Sequence, residues 1–173
     1  MDQWRRCGSG VVIKSTNDHL EFGETFHHPI TILDCEAMAI RLALQTLPQC
    51  VRPHHRHIHL YSDCEVAIRL IAQDYNPKWG STQQLILQIH QLLHNILDRT
   101  CIEKIVIHKV AAHTGIKLNE LADKLANKYR SEARWQPEQA SQWTKRSALS
   151  FKKKENQRLV GKRIQTKVCR VSA

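Results

Sequence analysis

Three acidic residues stand at positions where a charge is costly or where α/β proteins place their chemistry. Glu36 borders the apolar face of a predicted helix, and Asp63 lies between a predicted strand and the next helix. Asp123 lies one turn after Asn119 on an amphipathic helix. Taken singly, they could be a helix-flank residue, an N-cap and a surface acid. If one end of a sheet brings them together, their hard oxygen atoms would favour Mg²⁺ or Mn²⁺.

Histidine and cysteine offer another set of metal ligands, but their spacing does not favour a metal site. No C-x-x-C pair occurs among the 6 cysteines, which excludes a zinc ribbon, and a disulfide framework is not expected at this length. We expect small, buried or half-buried thiols in a reducing compartment. The histidine cluster at residues 54–59 is typical of a loop followed by alternate positions of a strand. His90 and His94 lack a third ligand in their helix, which favours a solvated helix flank.

The elements that must position these residues follow from the spacing of the apolar residues. Two adjacent strands and then alternating helices and strands indicate an α/β domain with a mixed sheet. Pro48 is expected to end the first helix. We predict strands near residues 9–15, 19–27, 56–62 and 103–109, and helices near 30–47, 63–73, 82–98 and 117–130.

The positive charge is concentrated at the C-terminal end. The net charge is +10, and residues 144–173 contain ten Lys or Arg residues and one acid. We divide the chain into a near-neutral domain, residues 1–135, and a basic tail, residues 136–173, which we expect to be partly helical or disordered. Charge alone leaves the tail either a solvated end or an arm that binds polyanions. The nucleic-acid-binding candidates in it are Lys145, Arg146, Lys152, Lys153, Lys154 and Arg158.

Composition and length exclude several classes of protein. With 42% hydrophobic and 24% charged residues, the chain is typical of a globular domain rather than a disordered or fibrous protein. No apolar run approaches the length of about 18–20 residues that spans a bilayer, and the N-terminus has no hydrophobic signal core. We therefore expect an intracellular protein, nuclear or cytoplasmic, that is monomeric and has no membrane partner.

Four stretches of the sequence resemble one protein family. Residues 113–126, HTGIKLNELADKLA, resemble the H-[ST]-G-I-x-G-N-E-x-A-D-x-L-A signature of type 1 ribonuclease H domains, and most of all those of retrotransposon reverse transcriptases. Only Leu118, in place of the usual Gly, departs from this signature. Asn76-Pro77-Lys78 before a long helix is similar to the retroelement version. The other matching stretches follow the family order at residues 8–13, 34–40 and 61–67.

The resemblance implies a fold, a site and a reaction. By it, Glu36, Asp63 and Asp123 are catalytic metal ligands, and His113 assists proton transfer or product release. The implied fold is a five-stranded mixed sheet flanked by helices. The implied reaction is hydrolysis of the RNA strand of an RNA–DNA hybrid with two Mg²⁺ ions, or with Mn²⁺. The substrate would be recognised through 2′-hydroxyl contacts and groove shape, without base readout.

The family opens with a central strand bearing Asp-Gly-Ser, and this sequence begins too late to show it. Only Met1 precedes Asp2, whereas a strand needs about five residues, so we interpret Asp2 as the remnant of a loop. We thus expect a ribonuclease-H-like domain without its first strand and with an open edge beside residues 56–62. Two hypotheses remain: a hybrid endonuclease, and a catalytically dead remnant that binds nucleic acid without turnover.

Overall fold

The computed structural model describes residues 6–27, 30–72, 80–112, 114–133 and 164–168. The mixed α/β architecture is confirmed, with small sheets flanked by helices, and each predicted strand and helix is present with bounds shifted by a few residues. The elements are β1 (Cys7–Lys14), β2 (His19–Phe26), α1 (Ile32–Cys50), β3 (His57–Ser62), α2 (Glu65–Ile71), α3 (Gly80–Arg99), β4 (Lys104–Lys109), α4 (Lys117–Glu132) and β5 (Ile164–Val168).

Among the described residues, the strands form two separate sheets. β1 and β2 make an antiparallel hairpin, whereas β3, β4 and β5 pair in parallel in that order. Among the described residues, β1 pairs only with β2, and β3 pairs along one edge only. An open edge beside β3 is therefore present in this part of the chain.

The outermost strand, β5, comes from the basic tail. Its backbone pairs with β4 from Ile105↔Ile164 to Lys109↔Val168. The expectation of a helical or disordered tail is wrong for residues 164–168, because β4 offers a free edge to a short segment without Gly or Pro. The sequence did not lead us to predict this strand, because lysine and arginine dominate the surrounding segment. The rest of residues 136–173 lies outside the described residues.

Helix α1 begins with a capping box and continues past the residue that was expected to end it. The Thr31 hydroxyl accepts from the Asp34 backbone N–H at 3.0 Å, and Asp34 accepts from the Thr31 N–H at 3.4 Å. Pro48 lies inside the last turn, where its missing N–H removes a single helical hydrogen bond. The helix ends at Cys50, which is buried, and the next N–H, that of Val51, donates to Leu47 O at 3.1 Å.

The expectation of reduced cysteines is wrong for one pair, since Cys7 and Cys35 form a disulfide. The start of β1 lies beside the first turn of α1, with the two Cα atoms 6.6 Å apart, within the range that a disulfide bridges. Their sequence separation of 28 gave no sign of this proximity. Among the described residues, Cys50, Cys64 and Cys101 are free thiols.

The core lies between the parallel sheet and helices α1 and α3. Its fully buried side chains come mainly from α1, α2, α3 and β4, and include Leu44, Ile68, Ile89, Leu93 and Ile105. Burial of side chains of this size contributes about 1.5–3 kcal/mol each to stability. No helix in the described part of the chain combines the length and the apolar character that crossing a membrane requires.

Helix α4 lies directly on β1 because two glycines leave room for it. A Cβ atom on Gly8 would lie 2.7 Å from the Ala126 carbonyl oxygen, and one on Gly10 would lie 2.9 Å from Leu125 Cβ. Both distances are shorter than real Cβ atoms tolerate. The strand and helix backbones are thus in direct contact, which fixes the position of α4.

Substitution Gly10→Ala should therefore lower the free energy of unfolding by about 3 kcal/mol or more, because backbone atoms of α4 cannot rotate away from the new methyl group. Gly115→Ala is the comparison. Gly115 has φ 80° and open space around it, so its loss should be about 1–2 kcal/mol of backbone strain. Urea denaturation measures both variants, and an equal loss would show that the close contact is relieved elsewhere.

Candidate carboxylate site

The first predicted carboxylate, Glu36, lies in the second turn of α1 and is half-buried. Burial, together with the charges of Asp63 and Asp123, raises the pKa of its carboxyl group to about 7. Desolvation is the larger cause, because a charged carboxylate loses its hydration inside the protein. The same interaction shows that all three predicted residues share one electrostatic neighbourhood.

The second carboxylate, Asp63, lies where the chain leaves β3 for α2. The β3–β4 ladder ends beside it, since the Val110 N–H donates to Ser62 O at 3.0 Å. The Ser62 hydroxyl then accepts from the Cys64 N–H at 3.2 Å, which shapes the turn. From α4, Asn119 Nδ2 donates to Asp63 Oδ2 at 3.4 Å. Asp63 is thus held at the carboxyl end of a parallel strand, where α/β sheets usually bind ligands.

The thiol of Cys64, next to Asp63, lies close to the same negative charges. Burial raises the pKa of Cys64, and the charges of Glu36 and Asp63 raise it too, against backbone hydrogen bonds that lower it. A thiol in this environment stays protonated at neutral pH and is a poor nucleophile. Cys64 is therefore not a candidate nucleophile.

The third carboxylate, Asp123, lies on α4 one turn after Asn119. Because α4 contacts β1 at the backbone level, Asp123 approaches Glu36 from the opposite side of that strand. Asn119 and Asp123 project from the same helix face, i and i+4, so one helix supplies both the hydrogen bond to Asp63 and the charge near Glu36.

The three carboxylates do not form a preformed metal cluster. Among the described residues, no group of three His, Cys, Asp or Glu side chains is close enough to hold one ion. Our prediction that all three converge within one metal-binding radius is therefore wrong for this geometry. Like charges repel, and Asn119 holds the Asp63 carboxylate by a hydrogen bond. The donor set still suits a hard divalent cation, because all three side chains provide oxygen ligands.

Several predicted site residues lie outside the described residues. They are Asp2, His113 and the tail residues Lys145, Arg146, Lys152, Lys153, Lys154 and Arg158. Their predicted roles stay predictions.

The two histidines of α3 differ in their surroundings. His94 pairs with Asp98 one turn further along α3 at 2.7 Å. The prediction of a solvated flank is wrong for His90, which is half-buried with its Nε2 2.8 Å from the carbonyl oxygen of Ile71. Burial lowers the pKa of His90, against that hydrogen bond, which raises it. Within the described part of the chain, neither belongs to a group of metal ligands.

A buried acid next to the site was missed as a support for it. Asp34 is 3% exposed and accepts a hydrogen bond of 2.6 Å from the Thr82 hydroxyl at the start of α3. The same carboxylate closes the capping box of α1 with Thr31. Asp34 therefore ties the start of α3 to the first turn of α1, two residues before Glu36. The T-x-x-D spacing was a visible sign of the cap, whereas nothing indicated the contact with α3.

Two comparisons with known proteins bear on the chain. The family model described as RNase H matches residues 2–131 of the 173, a span that includes all three carboxylates. No curated protein matches the sequence.

The raised pKa of Glu36 predicts how stability depends on pH in the absence of divalent metal. The folded state binds a proton that the unfolded state releases near pH 4.5, so this contribution is complete below pH 4.5 and is lost as pH rises through 7. Glu36→Gln removes the burial of a charge. It should raise the free energy of unfolding by about 1–3 kcal/mol at pH 8 and change it little at pH 4.5.

Urea denaturation in EDTA at both pH values measures this difference. Glu132→Gln, at an exposed position at the end of α4, is the matched control and should show no such pH dependence. A stabilisation by Glu36→Gln that is the same at both pH values would show that charge burial is not its cause.

Proposed function

We propose, since this chain belongs to the ribonuclease H family, that it binds RNA–DNA hybrids and hydrolyses their RNA strand at the Glu36, Asp63 and Asp123 site. One observation supports this most: the charges of Asp63 and of Asp123 on α4 both raise the pKa of Glu36 on α1, and Asp63 follows the carboxyl end of a parallel strand, β3. A solvated surface would keep such charges apart. A binding site for a cation is the simplest use of a cluster that costs stability without one.

The ligand chemistry of the three carboxylates suits Mg²⁺ or Mn²⁺, although in this structure they are not close enough together to hold one ion. Glu36, Asp63 and Asp123 would hold it, with two ions in an intact site, and the bound metal supplies an activated water and neutralises charge on the leaving oxygen. The protein keeps Asp63 oriented through Asn119 Nδ2 and keeps Glu36 half-buried on the cap-anchored first turns of α1. We assign to His113 the transfer of a proton, or assistance in product release, by resemblance alone.

Recognition of the substrate would rest on the backbone of the hybrid. An RNA–DNA hybrid offers 2′-hydroxyl groups and a characteristic minor-groove width, which proteins read without base contacts. The basic tail would add affinity that is independent of sequence, because lysine and arginine release counterions from phosphates. Its candidates are Lys145, Arg146, Lys152, Lys153, Lys154 and Arg158.

A second candidate function is nucleic-acid binding without turnover. It is favoured by the lack of a preformed three-ligand cluster among the described residues. Such a domain would keep the hybrid affinity of the family and cleave at least about 10²-fold more slowly than a complete site, the typical loss for one transition-state contact.

We also propose an origin and a location for the protein. The motif HTGIKLNELADKLA and the Asn76-Pro77-Lys78 segment before the long helix α3 support an origin among retrotransposon polymerases. We propose that the protein acts inside the cell, in the nucleus or cytoplasm, as a monomer.

The activity is tested first at Asp63. The chain should cleave the RNA strand of a hybrid only with Mg²⁺ or Mn²⁺, and Asp63→Asn should slow cleavage at least about 10²-fold, because the amide keeps the shape and removes the metal-binding charge. Single-turnover cleavage of an end-labelled hybrid measures the rate, and fluorescence anisotropy in Ca²⁺ measures binding.

The control is Asp98→Asn, which removes an exposed carboxylate from α3 and should leave the rate unchanged. If the unmodified chain binds hybrid but shows no metal-dependent cleavage, the binding function is correct and the enzyme assignment is wrong. If Asp63→Asn cleaves as fast as the unmodified chain, Asp63 is not a metal ligand.

The contribution of the tail is tested by charge rather than by deletion, because deletion would also remove β5. Lys152→Gln with Lys153→Gln should weaken hybrid binding and reduce the slope of log affinity against log salt by about two. Lys14→Gln with Lys128→Gln removes the same charge from exposed positions on β1 and α4. Anisotropy titrations over a salt series measure both pairs, and equal slopes for the two would leave the tail as a solvated end.

A further inference from the structure

The outer face of the parallel sheet carries a row of exposed rings that the proposed reaction does not use. Alternate residues of β3 point to this face, among them His57, His59 and Tyr61, and all three are exposed. The register sets Tyr61 opposite His108 of β4. We call Tyr61, His59 and His108 the ring face.

The ring of His108 is stacked with the rings of both Tyr61 and His59. Tyr61 and His108 have ring centroids 4.7 Å apart with planes at 15°, and His59 and His108 have centroids 5.1 Å apart with planes at 25°. A hydrogen bond of 2.9 Å joins His59 Nδ1 and His108 Nε2. The ring face is therefore a continuous aromatic surface that crosses two strands.

The opposite side of the same strands makes this surface rigid. Leu60, Ile105 and Ile107 point the other way into the core and are buried. The backbone beneath the rings cannot shift without disrupting that core. The surface is therefore preformed, and binding of a flat ligand would cost the protein little conformational entropy. Tyr61 nevertheless leaves 58% of its surface exposed to solvent.

The charge of the surface selects the ligand. None of the six positions that β3 and β4 place on this face is acidic, and Lys104 stands opposite His57. Of these six residues, Lys104 carries a positive charge and none carries a negative one, which favours an anionic partner. Among the described residues, the histidines of this face belong to no group that could hold a metal ion.

The position of the ring face relates it to the carboxylates. Tyr61 precedes Asp63 by two residues, a backbone distance of about 7 Å at the rise of a β-strand. That is close to the spacing of adjacent nucleotides in an extended single strand. A strand passing over the ring face would therefore reach the end of β3 within about one nucleotide.

We propose that the ring face binds single-stranded nucleic acid by stacking bases on Tyr61 and His108. Exposed aromatic side chains on a rigid, basic sheet face bind bases of any sequence in this way, because every base has a π-face. The site lies outside the carboxylate group and goes beyond hybrid cleavage. Its natural ligand is the single-stranded extension that leaves a hybrid.

The test uses the full chain and a twelve-residue oligothymidylate with one 2-aminopurine in its centre. Tyr61→Ala should lower its affinity about 5- to 100-fold, and the quenching of 2-aminopurine that reports stacking should disappear. Tyr61→Trp should restore both. Because tyrosine carries no charge, the salt dependence of binding should stay unchanged. Leu87→Ala, which truncates another exposed large side chain on α3, is the control and should bind as the unmodified chain does.

A blunt-ended hybrid separates this proposal from the proposed function. Tyr61→Ala should change neither the affinity for this hybrid nor its cleavage. If the ring face does not bind single strands, the hybrid results are therefore unaffected, and if the chain does not cleave hybrids, the single-strand results are unaffected. Equal oligothymidylate affinity and equal quenching for Tyr61→Ala and the unmodified chain would overturn the proposal. So would a dimer, detected by light scattering, that Tyr61→Ala dissociates, since the ring face would then bind a second copy of the chain.

Discussion

The site depends on the thickness of one glycine-bearing strand. Gly8 and Gly10 let the backbone of α4 rest on one side of β1, and Ser9, which points the other way, donates its hydroxyl to the Cys35 carbonyl of α1 at 3.1 Å. β1 is therefore held between two helices with little side-chain volume on the α4 side. That separation sets how closely the carboxylates of α1 and α4 approach each other. Bulkier residues on β1 would leave Glu36 and Asp123 on unrelated surfaces.

The arrangement concentrates negative charge where burial already opposes it. Ionisation of Glu36 costs free energy, since burial and two neighbouring charges favour its protonated form. Hydrogen bonds stabilise the elements that carry the site: the Thr31 cap on α1, the contact of Thr82 with Asp34, and the bond from Asn119 to Asp63. Function and stability are therefore in opposition at this point of the fold, as is typical of functional sites.

Local patterns in the sequence predicted the elements well, and contacts between distant segments poorly. Apolar spacing located each helix and strand up to α4, and the position of Asp63 at the end of a strand indicated a chemical role. The Cys7–Cys35 pair and the Asp34–Thr82 contact join segments far apart in the chain, so no local pattern reported them. The C-terminal segment was not predicted to contain a strand, because its high charge hid the short apolar alternation of β5. Of the ring face, the sequence showed only histidines at alternate positions.

The pairing of β5 with β4 attaches the basic segment to the folded domain at a second point. With Ala133 following α4 and Ile164 opening β5, both ends of the intervening residues are attached to the folded domain. Closing a loop costs chain entropy, which the hydrogen bonds between β4 and β5 have to offset. This cost grows only slowly with the number of residues enclosed, so even a short strand can close a long connection. A cut in the chain between Ala133 and Ile164 would leave β5 paired with β4 without a covalent link between α4 and β5.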